Sequence, residues 1–242
     1  MKNKNKSINE NLVLGMLENV PFDGWNWEAL YKSAEELKLY SKNLDEHDKK
    51  QLRSLFKNDL VETIKIFNDY LDKNMLEKFV KSKHNIKKTH EKIRHLILSR
   101  LDSALEHKES IRSSIGLMSL PQNSKNSFLM LYKTCDKIWR ASGDESTDFS
   151  FYTKRIILSG VYSTTLLFWI NDETNELKNT EDFLDRRLKD VSKIGKIKDR
   201  GGKILNKEQG LAKFPFKVLS SLSKTIEKGN LGKVINNFKY FK

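Results

Sequence analysis

Apolar residues along this chain recur at spacings of three and four, and that period sorts most of it into helices. Ile8, Leu12, Met16 and Leu17 share one side of a helix over 8–20. VPFDGW (20–25) is expected to end it, because Pro21 and Gly24 both interrupt helices. A short helix follows over 27–37 with Asn26 as its N-cap, and another is expected around 45–55. Leu60, Ile64, Phe67 and Leu71 fall in step along a long helix over 59–81. Ile93, Leu96, Ile97, Leu101 and Leu105 make 89–106 amphipathic, and a further helix over 107–119 stops before Pro121. Leu129, Tyr132, Ile138 and Trp139 belong to a helix over 124–141 that ends at Gly143.

The next helix, over 148–171, takes Thr147 as its N-cap and has Asp148 at the positive end of its dipole. It contains RIILSGVYSTTLLFWI, the most apolar run of the chain, with Arg155 at its edge. At 16 residues the run is short of the ~20 needed to span a bilayer. It reads as the central buried helix or a dimer helix. NTEDFLDRRLKD (179–190) is the last body helix, and IGKIKDRGGKILNKEQG after it reads as a flexible basic linker. In the segment 210–229, Leu211, Phe214, Val218, Leu219, Leu222 and Ile226 share one broad helical face. Lys213, Lys217, Lys224 and Lys228 gather on the other, and only Phe216 is misplaced.

Composition agrees with an all-α fold. The 242 residues are 38% hydrophobic and 32% charged, and only three prolines and 11 glycines occur, without the spacing of β-sandwich turns. Charge changes the picture more. The net charge is +13, and residues 191–242 hold +10 of it, with twelve Lys and one Arg against three acidic residues. The body is nearly balanced and the tail is strongly basic, which points to a polyanion at the tail. Apolar on one face and lysine on the other is the pattern of a helix lying in a lipid headgroup layer. Packing of the same stripe on the chain's own body or on a second subunit remains open. The lone Cys135 can form no internal disulfide or cysteine zinc site, so a reducing compartment is expected. MKNKNKSINE lacks the features of a signal or transit peptide, and the heavy use of Lys and Asn favours a bacterium.

Catalytic signals are weak throughout. His90 and His95 in HEKIRH are five apart, not the four that place two zinc-binding histidines on one helical face. Asp144, Glu145 and Asp148 lack the rhythm of a calcium loop, and there is no P-loop, GxGxxG or nucleophile elbow. Three short helices before a longer bundle is the layout of TetR-type regulators. Residues 26–57 nevertheless hold seven basic against six acidic side chains, a poor match to DNA phosphates. What stands out is GDESTDFSFYTKR (143–155), where carboxylates and aromatics crowd together next to Trp139. From the residues alone, either a protein-interaction patch or the packing of a helix corner accounts for it.

LMSLPQNSKNSFLMLYKTCDKIWRASGDESTDFSFYTKR (117–155) resembles the signature segment of the coenzyme Q (ubiquinone) biosynthesis accessory proteins, lipid-binding members of the TetR-like fold. VPFDGW near the start and FLDRRLKDVSKIGK near the end of the body match in order as well. The resemblance implies a non-enzymatic, usually dimeric protein with a TetR-regulator-like bundle of about nine body helices and a C-terminal amphipathic helix. It implies no cofactor and no nucleic acid. The partners implied are an isoprenoid lipid or quinone intermediate, the di-iron hydroxylase of the pathway, and an anionic membrane surface. By motif match the hydroxylase patch is Ile138, Asp148, Phe151 and Tyr152, with Trp139 beside them and Phe149 turned inward. This chain departs at Phe151, where the family often has Trp, and at LFKND (55–59), where a glycine-containing turn is usual. Expected lipid-facing residues are Leu129, Trp139, Leu158, Tyr162, Leu166 and Trp169, each of which serves equally well as core. Membrane contact is expected from Phe214, Lys217, Val218, Leu219, Leu222, Lys224 and Ile226.

The expected division is a degenerate helix-turn-helix region at 1–57, a lipid-binding bundle at 58–195, and a linker with membrane helix at 196–242. The expected location is the bacterial cytoplasm, peripheral to the inner membrane, or the matrix side of the inner mitochondrial membrane in a eukaryote. A TetR-like regulator with a lipid effector and a plain helical scaffold with a basic tail are the alternatives.

Overall fold

A computed structural model describes residues 2–40, 43–82, 86–147, 149–174 and 177–200. Nine α-helices and no strand are found among the described residues, so the fold is all-α, as the period predicts and as a TetR-like bundle requires. They are α1 (Lys2–Asp23), α2 (Trp27–Glu36), α3 (Glu46–Leu55), α4 (Leu60–Ser82), α5 (Thr89–Asp102), α6 (Lys108–Met118), α7 (Ser124–Ala141), α8 (Phe149–Asn171) and α9 (Lys178–Arg200). Residues 1–191 form one compact unit and residues from 192 onward another. The tail helix expected over 210–229 and the seven residues expected to contact a membrane lie outside the described residues.

The three N-terminal helices form for local reasons. Asn26 caps α2 by accepting from the Ala29 amide at 2.9 Å, and Asp45 caps α3 through Asp48 N–H at 2.8 Å. α1 lies against α2 closely enough that Gly15 faces Ser33, whose hydroxyl donates to the Leu12 carbonyl at 2.7 Å. The helix expected to end at residue 20 continues through Pro21 to Asp23. Proline removes the N–H that would bond the Leu17 carbonyl. Ser110 Oγ comes to 3.5 Å from that carbonyl and stands in for the missing donor. Gly24, at φ +76°, then makes the stop, and Trp25 is anchored by donating to the Ser110 carbonyl at 2.8 Å.

α4, α5, α7 and α8 make the main bundle, with α1 and α6 packed on it. Phe67, Leu71, Met75, Leu96, Ile97, Leu101, Ile138 and Trp169 are buried in it. α5 ends at Asp102, four residues early, because the chain turns to bury Ala104 and to bring the His107 ring edge-on to Phe67 at 5.7 Å. α9 continues past Gly195 to Arg200, five residues into the stretch expected as linker. α9 is fixed to α5 by Arg94, which reaches Asp185 at 2.6 Å and Glu181 at 3.2 Å, and to α8 by stacked Phe168 and Phe183 rings 4.4 Å apart. Among the described residues no helix is long and apolar enough to cross a membrane.

The α1–α2 contact gives a direct test. A Cβ on Gly15 would fall 2.3 Å from Ser33 Oγ. Gly15→Ala therefore destabilises by about 1–2 kcal/mol despite a helix-propensity gain of about 1 kcal/mol. Ser33→Ala in the same chain restores most of the loss in urea denaturation; an unchanged midpoint for Gly15→Ala alone would contradict the close packing.

Candidate functional site at the α7–α8 junction

The mixed acidic and aromatic stretch is the junction between α7 and α8, and the structure separates its residues into two layers. Trp139, Phe151 and Tyr152 are half-buried. Phe151 and Tyr152 meet edge to face at 5.1 Å, and the Trp139 indole donates to the Lys154 carbonyl at 3.0 Å while Lys154 Nζ sits 5.4 Å from its ring. Ile138, expected in the same patch, is 0% exposed. Its position on α7 follows the apolar stripe with Cys135, so it belongs to the core and does not face a partner in this arrangement. Asp148 lies outside the described residues, and so does the side chain of Phe149.

Beneath the aromatics lies a set of ion pairs that the sequence reading missed. The Arg155 side chain, 1% exposed, bonds Asp136 of α7 at 2.7 Å and Asp144 of the junction at 2.8 Å. Its guanidinium carbon stands 3.5 Å from the centroid of the Phe151 ring, and Nη1 also donates to the Phe151 carbonyl at 3.0 Å. Asp144 takes a further bond from Lys154 at 2.7 Å and from Ser146 Oγ at 2.8 Å. The signal in the sequence was a lone arginine at the edge of the most apolar run, which requires a carboxylate partner when buried.

Asp144 is thus a structural acid and not a free ligand. Burial alone would push its carboxyl upward, but the bonds from Lys154, Arg155 and Ser146 outweigh burial and hold it near 2.

The expected lipid-facing residues divide differently. Leu158, Tyr162 and Trp169 are buried, while Leu129 and Leu166 are partly exposed. The Tyr162 hydroxyl is engaged by Arg100 Nη1, and Lys108 Nζ lies 5.4 Å from the Trp169 ring. A cavity of about 260 Å³ lies elsewhere, lined by Ile8, Asn9 and Leu12 of α1, Leu39 and Tyr40, and Leu52 and Leu55 of α3. None of the expected lipid residues is among those lining it. The two histidines of HEKIRH go to separate surroundings, His90 to 3.9 Å from Glu91 and His95 to 2.6 Å from Ser82 Oγ. Among the described residues no group of three or more His, Cys, Asp or Glu is arranged to hold a metal ion.

The depressed Asp144 carboxyl has a pH signature. Its folded pKa lies below the ordinary 3.8, so its contribution to stability is complete above about pH 4 and is lost as pH falls towards 2. Asp144→Asn is therefore expected to cost about 2 kcal/mol at pH 6. The gap from the unmodified chain should close between pH 4 and 2. Urea denaturation of both chains across that range checks this; a gap independent of pH would show that the carboxylate charge is not what stabilises the junction.

The junction falls inside the stretch that matches a known family. Residues 124–195, spanning α7, α8 and most of α9, match the COQ9 family model. The chain is 30% identical over 199 residues to the rat (Rattus norvegicus) mitochondrial ubiquinone biosynthesis protein COQ9, covering 78% of this chain and 60% of that protein. It is 29% identical over 197 residues to the human (Homo sapiens) COQ9, covering 78% of this chain and 59% of that protein. With the Schizosaccharomyces pombe coq9 protein it shares 27% over 114 residues, 47% of this chain and 46% of that one. The matches thus span about 60% of the length of the rat and human relatives. The resemblance read from residues 117–155 agrees with these matches: residues 124–195 match the COQ9 family model, and the chain is similar to the COQ9 ubiquinone biosynthesis proteins over most of its own length.

Proposed function

We propose that this chain is a non-enzymatic accessory protein of ubiquinone biosynthesis. It holds an isoprenoid quinone intermediate at a membrane surface and presents it to the di-iron hydroxylase of the pathway. The observation that carries this reading is the half-exposed aromatic set at the α7–α8 junction, Trp139 near the end of α7 and Phe151 and Tyr152 at the start of α8, within the stretch that matches the COQ9 family model. Aromatic side chains with a charged surround, on a rigid helix, are the composition of a protein-binding hot spot. Phe151 keeps a large ring where the family often has Trp, and the Arg155 guanidinium covers one face of it.

The physical need for such a carrier is plain. A polyisoprenoid is nearly insoluble in water, so its transfer between membrane and enzyme requires a continuous apolar route. Here the basic tail would bring the chain to an anionic leaflet, each lysine near the surface adding about 1 kcal/mol. Its apolar stripe would settle among the acyl chains, and the helical bundle, as a homodimer, would receive the prenyl chain. The regulator alternative draws little from α3. Its Lys49 and Arg53 reach Glu46 at 3.4 and 3.7 Å, and both sit over the Tyr31 ring, at 5.6 and 6.0 Å, so they are not offered singly to phosphate.

Two measurements test the proposal at its two contacts. Tyr152→Ala is expected to weaken capture of the hydroxylase at least about tenfold while the thermal melt barely moves; equal capture would return the aromatics to corner packing. Replacing Leu219 and Leu222 together by Asp is expected to abolish flotation with liposomes containing anionic lipid. Flotation equal to that of the unmodified chain would remove the tail from the mechanism.

A further inference from the structure

Five charged side chains alternate in sign through the α7–α8 junction: Arg140, Asp136, Arg155, Asp144 and Lys154. Successive members are 2.7, 2.7, 2.8 and 2.7 Å apart. The ends are open to solvent, with the Arg140 side chain 65% and the Lys154 side chain 38% exposed. The two central members, Arg155 and Asp144, are buried at 1% and 4%. The row links three separate pieces of backbone: α7 through Asp136, the irregular segment after it through Asp144, and the first turns of α8 through Lys154 and Arg155.

Each central member is also linked to an aromatic residue of the patch, Arg155 directly and Asp144 through Lys154. Arg155 lays its guanidinium on the Phe151 ring and bonds the Phe151 carbonyl. Asp144 holds Lys154, whose carbonyl accepts a hydrogen bond from the Trp139 indole N–H and whose ammonium lies over the Trp139 ring. A planar guanidinium is needed for this, because one group must serve two carboxylates, a carbonyl and a ring face in fixed directions. A lysine, as a single point charge on a flexible stem, cannot meet them together.

We propose that Asp144 and Arg155 are positioning residues for the protein partner, setting Trp139, Phe151 and Tyr152 in their binding arrangement before the partner arrives. The inference rests on partner docking at this surface. Ordering side chains and an irregular segment during association costs affinity, and fixing them beforehand removes that cost. The two buried members do this without themselves touching the partner, so Asp144 and Arg155 hold and the aromatics bind.

The test compares Asp144→Asn with Glu145→Gln in the full-length chain. The second removes the same charge from the next residue, whose side chain is exposed. Affinity for the di-iron hydroxylase is measured by calorimetry, and hydrogen exchange is followed in the free protein at the amides of 142–155 and at the Trp139 indole. Asp144→Asn is expected to retain its helical circular dichroism, to exchange faster over 142–155 and at the indole, and to bind at least about tenfold more weakly. Glu145→Gln should stay within about twofold on binding. Arg155→Lys, which keeps the charge but loses the planar fork, should bind at least about tenfold more weakly. If Asn at 144 prevents folding, Lys154→Met at the exposed end of the row carries the same comparison. Undiminished binding by Asp144→Asn or its substitute, with the unmodified chain binding normally, overturns the positioning role alone. Failure of the unmodified chain to bind overturns the docking reading and this inference with it.

Discussion

The bundle depends on a guanidinium buried at its centre. Arg100 of α5 is 3% exposed and bonds Asp72 of α4 at 2.8 Å, Asn68 of α4 at 2.6 Å and the Tyr162 hydroxyl of α8. Asp72 in turn accepts from Thr134 at 3.1 Å and from Lys137 at 2.8 Å, both on α7. Four helices therefore meet in one hydrogen-bonded cluster. Removing a charge pair from water is costly, and such a pair adds little net stability over a well-packed apolar substitute. What it adds is register, because five donors in a rigid fork fit only one arrangement of acceptors. The low-dielectric surroundings are visible in its neighbours: burial pushes the Tyr162 hydroxyl and the Cys135 thiol up to about 12, so both stay protonated at any physiological pH.

α8 benefits most from this. Its long apolar run would pack in several rotations about its axis if greasy surface were the only instruction. Arg100 fixes its middle through Tyr162, and its own Arg155 fixes its start to α7 and the junction. With those two points set, the start of α8 presents Phe151 and Tyr152 in a single way, with the Lys154 carbonyl holding the Trp139 indole. Core and candidate surface are connected by the same kind of interaction, one arginine at each place.

Helix positions were largely legible in the sequence because they rest on local signals. α7 occupies 124–141 as the period says, and Asn26 caps α2 as its residue type suggests. Misplaced ends have tertiary causes, as at Pro21, where Ser110 from far along the chain replaces the donor proline lacks. The buried charges were not legible, since Arg100 and Asp72 lie 28 residues apart and Arg155 and Asp136 lie 19 apart, with no spacing rule to join them. Of the residues that the resemblance assigned to the patch, Trp139, Phe151 and Tyr152 are half-buried, whereas Ile138 is buried, as its own apolar stripe on α7 indicates. The residues expected to face a lipid are not separable from ordinary core in the sequence, because a leucine against a prenyl chain and a leucine against another leucine have the same signature.

The central claim is that this chain carries an isoprenoid quinone intermediate, and native mass spectrometry of the full-length protein tests it most directly. The account predicts a bound isoprenoid or quinone species at near-stoichiometric occupancy. An empty protein, or one holding phospholipid alone, would contradict it.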